Sequence, residues 1–252
     1  MSLSLTVCTA AKDNKVQTSA MHCVINGKLN RDTKATMAYL MCIDGRKLVA
    51  TDSAAVKDGK FVLVTDVGVP VERAISFKGM EKVTPVTVFL DADALTLEQD
   101  KDNGEFIVKG SDTNEAFGRL KRTIAPMEKA MVAAIVRYKD TSRSEEDRTK
   151  AEKDYNEAEA KMTEVMLECL KENAGNILGF TLLSECYYNM EGAMVEHYLK
   201  QIPETFRNPI SGWCAMWKMT RNAWSAPTTM TWNSRRQAAK RKNCPNTSRK
   251  VN

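Results

Sequence analysis

Asp58-Gly59 lies in the middle of "GRKLVATDSAAVKDGKFVLVTDVG", between two β-rich runs. No other short signal for a hairpin is as strong, because the tight turn it marks needs positive φ, which few residues tolerate. The surrounding chain has the same character. "HCVINGKL" and "MAYLMCI" are short apolar runs separated by the polar, turn-prone "NRDTKAT", and "VERAISF" follows the hairpin. "VTPVTVFLDADALTLEQ" and "GEFIVKGS" then flank "DKDNG", a second hairpin turn. Strands spaced this evenly, with turn residues between them, predict an antiparallel sheet or small sandwich over residues 20–112.

After Ser111 the apolar period changes. Phe117, Leu120, Ile124, Met127 and Met131 recur at three- and four-residue steps, which is a helical stripe, and Pro126 is expected to break or kink it. A second helix should open on a capping box of Ser142 with Glu145. Its apolar face carries Tyr155, Ala158, Met162, Val165, Met166, Cys169 and Leu170, and Gly175 stands where a C-cap belongs. Its charges read as a solvated outer face. "ILGFTLLSECYYNM" and "EGAMVEHYLKQIP" supply two shorter helices, closed by Pro203. The expected class is α+β: a β domain over 20–112, a helical segment over 113–207, and a disordered basic tail over 208–252.

The 252 residues leave room for one or two domains with a real core, and 43% apolar with 27% charged residues is ordinary for a globular protein. The formal charge of +5 is unevenly spread. Residues 208–252 hold nine Lys/Arg and no acid, so the body carries 28 basic against 32 acidic groups. No run approaches the ~18 apolar residues of a membrane span. Seven cysteines, at 8, 23, 42, 169, 186, 214 and 244, form no C-x-x-C and no zinc spacing with His22 or His197. They read as small buried hydrophobes, with pairing of Cys23 and Cys42 left open. The two histidines read as satisfied structural residues. Asp91 and Asp93 alternate along an expected strand and read as a solvated face. There is no P-loop, no dinucleotide fingerprint, no H-E-x-x-H and no G-x-S-x-G. No catalytic, cofactor-binding or metal-ligating residue is expected, and no cofactor. At the N-terminus, residues 1–19, "LTVC" before a polar spacer looks like the end of a lipoprotein signal with Cys8 lipidated, although Val7 departs from the usual small residue. A frayed leader explains the same residues equally well.

Three stretches carry a resemblance: "DSAAVKDGKF" (52–61), "VFLDADALTLE" (88–98) and "VKGSDTNEAF" (108–117). They resemble the β-rich N-terminal domain of unknown function found in periplasmic thiol-disulfide interchange proteins of the TlpA/ResA group. "MLECLKENAGNILGFTLLSECYY" and "LKQIPETFRN" are similar to the helical linker of that family. The resemblance covers roughly residues 20–207. It implies a periplasmic or membrane-anchored lipoprotein whose catalytic thioredoxin-fold domain, with its W-C-x-x-C site, should follow. After Asn208 this chain departs from that pattern.

The tail changes language. All four tryptophans, Trp213, Trp217, Trp224 and Trp232, lie there, and no Asp or Glu occurs from Thr205 onward. A basic aromatic arm for nucleic acid or anionic membrane would look like this. So would a shifted reading frame near residue 209. Restarting each codon at its third base forces Met230-Thr231 to give Asp and Trp232-Asn233 to give Glu, and the tail then accommodates the opening of a redoxin domain. The frameshift accounts for the missing acids, the tryptophans and the isolated Cys214 and Cys244 together, and is favoured. The chain is therefore expected to be a non-catalytic accessory portion of an exported thiol-disulfide oxidoreductase, not an enzyme as it stands. Its expected partners are another protein, the missing catalytic domain or a second copy. No nucleic acid is expected, and membrane only through a lipid anchor. The alternative is a stand-alone binding module with a working basic tail.

Overall fold

The computed structural model describes residues 21–30, 32–44, 47–80 and 83–206. Cys8, the leader and the tail beyond Phe206 lie outside them. Eight strands come first: β1 (Met21–Lys28), β2 (Met37–Asp44), β3 (Lys47–Ala55), β4 (Lys60–Val67), β5 (Val71–Lys78), β6 (Val86–Leu90), β7 (Ala94–Gln99) and β8 (Phe106–Lys109). They make two four-stranded sheets, β4-β1-β7-β8 and β3-β2-β5-β6. All pairings are antiparallel except β1 with β7, which the even spacing of strands did not reveal. Four helices follow: α1 (Asp112–Lys139), α2 (Glu145–Asn173), α3 (Ile177–Cys186) and α4 (Gly192–Gln201), with short 3-10 turns at Tyr187–Asn189 and Glu204–Phe206. The fold is α+β, as expected, with a small sandwich first.

The Asp58-Gly59 turn forms, with φ of 51° and 73°, and Lys57 and Lys60 exchange both backbone hydrogen bonds across it. The flanking strands do not go on to make a ladder. β3 pairs with β2, and β4 pairs with β1 in the other sheet. Here the turn serves as the corner of the sandwich. A register shift between Leu40 and Met41 puts a bulge in the β2–β3 ladder, and bulges add twist to a strand. The two edge strands stay in touch through Thr65, whose hydroxyl donates to the Asp52 carboxylate at 2.8 Å. The second expected hairpin, β7–β8, is a true ladder. Its loop is held by Asp100, which accepts from the Asp102 and Asn103 amides, and by Gly104 at φ 74°.

Period-two burial fills the space between the sheets. Ile25, Leu40, Leu63, Ile75, Leu95 and Leu97 are almost wholly buried there, each contributing about 1.5–3 kcal/mol of transfer free energy. Phe77 stacks on Phe106 at 5.4 Å and meets Phe61 edge-on at 5.7 Å. Gly27 makes room for Phe61: a Cβ on Gly27 would stand 2.0 Å from the ring.

The helical segment differs from expectation at a cap, at a helix end and in having no break at Pro126. Helix α1 runs unbroken through Pro126. Pro126 is exposed, so the carbonyl it leaves unpaired is on the solvent side, and buried Leu120, Ile124 and Ala134 fix the helix before and after it. The cap of α2 is Ser144, which accepts from the Asp147 amide, and not Ser142. Asp140 has captured Ser142, accepting from both its amide and its hydroxyl. Gly175 is not in the left-handed region; the helix ends on Ala174, and Asn176 begins α3 by accepting from the Leu178 and Gly179 amides. α1 and α2 form an antiparallel pair, close enough to bury Ala134, Ala151 and Ala158. Arg137 donates to Asp154 at 2.7 Å, and Arg148 lies over the Tyr138 ring at 5.2 Å. Among the described residues, no helix is long and apolar enough to cross a membrane.

Candidate functional site

Sheet and helices meet at edge strand β6. Its residues Val88, Phe89 and Leu90 are all fully buried, because both faces are covered. Val88 and Leu90 point into the sandwich, while Phe89 joins the helical core with Leu120, Leu178 and Leu182. A strand edge normally leaves backbone groups open. Here Asn114, in the first turn of α1, closes it. Its Oδ1 accepts from the Phe89 amide at 2.9 Å, and its Nδ2 donates to the Phe89 carbonyl at 2.8 Å. The side-chain amide thus replaces the next strand for one residue. Ser111 caps α1 and holds the same Nδ2 at 2.8 Å, and Phe117 packs edge-on against Phe89 at 5.3 Å. A second tie joins α3 to β5: Thr181 donates to Glu72 at 2.9 Å.

The described thiols are free. Cys23 and Cys42 sit in different sheets, on β1 and β2, and are not joined. Burial raises the Cys23 thiol, helped by the negative charges of Asp91 and Asp93. Cys169 is raised by burial and Glu172, against a smaller opposite effect of Arg119. Burial and Glu185 push Cys186 up to about 12. Nucleophilic cysteines need the reverse, an electropositive setting that lowers the thiol. Cys8, Cys214 and Cys244 lie outside the described residues.

The remaining sequence candidates fall on surfaces. His22 lies on the outer face of β1, 63% exposed, and meets Asp66 at 2.8 Å; His197 meets Gln201 at 2.7 Å on α4. Asp91 and Asp93 do not alternate on a strand, since β6 ends at Leu90 and they form the connection to β7. The Asp93 carbonyl accepts from the Val24 amide, which starts the parallel β1–β7 pairing. Among the described residues, no three His, Cys, Asp or Glu side chains come together as a metal set.

Sequence reasoning missed one concave feature. A groove of about 510 Å³ opens between α1, α2 and the end of α3, and a second hollow of about 440 Å³ adjoins it along α2. Ile124, Met162, Met166, Leu167 and Tyr187 give it an apolar floor. Glu128, Glu159, Glu164 and Glu185 line it, with no Lys, Arg or His. Glu185 reaches solvent, but crowding around its carboxyl and the like charge of Glu72 hold it above the ordinary carboxylate range, with Lys121 opposing. The i, i+3, i+4, i+7 spacing of Glu159, Met162, Thr163 and Met166 was the available signal.

No curated protein and no solved structure matches the chain. A family model does: residues 23–117 match a domain of unknown function, DUF4369, which takes in the whole sandwich from Cys23 and ends on Phe117, just past the Asn114 clasp.

Proposed function

We propose that this chain is a non-catalytic accessory module, the N-terminal portion of an exported thiol-disulfide oxidoreductase, read out of frame from near residue 209. What carries the reading is the work done by the three stretches that bear the resemblance, all of which fall inside residues 23–117. Residues 52–61 turn the corner between the sheets, 88–98 make the clasped edge of one sheet and an inner strand of the other, and 108–117 bring in Asn114 and Phe117. Each spends its residues on architecture. The raised thiols of Cys23, Cys169 and Cys186 add support, because disulfide exchange needs a thiolate near neutral pH.

In the parent, a C-x-x-C pair in the following domain would attack a substrate disulfide and resolve it, and the sandwich would hold that domain or its partner in place. Fold-level analogy supplies this role. An insulin-reduction assay tests it. The purified chain should accelerate reduction no more than dithiothreitol alone, and a rate above that background would overturn the reading.

A further inference from the structure

We infer that the groove between α1, α2 and α3 is a docking site for a cationic amphipathic helix of a partner protein. The floor is apolar and continuous: Ile124 from α1, Met162, Met166 and Leu167 from α2, and Tyr187 beyond α3. Methionines suit such a surface because an unbranched, polarisable side chain repacks around different apolar partners. The two adjoining hollows share Glu159, Thr163 and Asn189, so they form one trough along α2. Carboxylates line both sections, Glu128 and Glu185 in one and Glu164 in the other. An apolar floor between acids fits a helix with an apolar stripe flanked by Lys or Arg, the helix-in-groove mode of recognition. An acidic or uncharged helix would leave those carboxylates facing like charge or nothing. The trough belongs to the described chain whether or not a catalytic domain once followed, so this inference stands apart from the redox reading.

The test uses the full chain with its methionine methyl groups labelled with carbon-13, titrated with a short synthetic leucine–lysine helix. Its controls are a leucine–glutamate helix and a scrambled leucine–lysine peptide that lacks an apolar face. The Met162 and Met166 methyl signals should shift with the first peptide alone, while Met37 and Met80, in the sandwich region, stay put. Glu128→Gln with Glu185→Gln should weaken binding by about tenfold. Glu105→Gln with Glu146→Gln, in the β7–β8 loop and the first turn of α2 and neither of them lining the trough, should change it less than twofold, within the scatter expected of surface charges. Ala160→Trp, which fills the trough without touching its charge, should abolish the shifts while leaving the thermal transition in place. Equal weakening by both charge pairs, equal binding of the scrambled peptide, or shifts spread over all methionines would overturn the inference. So would signals that move with salt alone or with protein concentration alone, since those outcomes would put the chain's own basic segment or a second copy in the trough.

Discussion

Asn114 and Phe89 are 25 residues apart, yet the side-chain amide of one satisfies both backbone groups of the other, at 2.9 and 2.8 Å. Both groups are buried, and a buried group that loses its partner costs about 1–3 kcal/mol. Asn114→Ala should therefore destabilise the chain by about 2–4 kcal/mol in urea unfolding, after allowing for relaxation. Asn114→Asp should rescue little, because a carboxylate accepts from the Phe89 amide but repels the Phe89 carbonyl. Ser111→Ala, which removes the cap and one support of the Asn114 amide but leaves its two bonds to Phe89, should cost about 1 kcal/mol. A loss at Asn114→Ala no larger than at Ser111→Ala would mean the clasp does not hold sheet and helices together.

Gly27 and Phe61 form a lock of a different kind. A Cβ at residue 27 would sit 2.0 Å from the Phe61 ring, so Gly27→Ala should cost about 1–3 kcal/mol by overpacking. The substitution should be much less harmful in a Phe61→Leu background. The double-mutant cycle should give a coupling of about 1 kcal/mol or more. Additive effects would show that the ring yields freely.

Thiol reactivity should follow burial. Labelling the native chain with iodoacetamide near pH 8, followed by peptide mass analysis, should modify half-exposed Cys42 well before Cys23 and Cys186, which are buried and raised. In denaturant the three should label alike. Rapid native labelling of Cys186 would contradict its burial among the helices.

Glu185 gives a pH signature. Its carboxyl is raised in the fold, so the folded state holds that proton more tightly than the unfolded chain. The resulting stabilisation is full below the unfolded carboxylate value of about 4.3 and is lost as pH rises through the folded value. Glu185→Gln should accordingly melt higher than the parent chain at pH 7, with the gap closing by about pH 4. A constant difference across that range would mean the fold does not raise this carboxyl.

Much of this architecture was legible in the chain, and the exceptions have physical causes. Strand and helix periods locate most elements because burial at steps of two or of three and four is written locally, but the break between β6 and β7 at residues 91–93 reads as one strand. Asp58-Gly59 announced its turn correctly, but which sheet each flanking strand joins depends on Phe61, Leu63 and Val67 finding the inner face beside β1, a long-range choice. Ser142 and Ser144 both fit a cap, and Asp140 decided between them. Asn114 reads as an ordinary first-turn residue, since nothing local tells that a strand edge lies across from it. The groove was spread over three helices, and a pattern within one helix could not show it was concave.

The proposed origin of the chain rests most directly on its gene. Sequencing from codon 200 to several hundred bases past codon 252, with translation in all frames, should find another frame that stays open and continues into a strand and a W-C-x-x-C site. If every alternative frame closes at once, residues 208–252 are the protein's own basic tail, and the shifted reading frame is wrong.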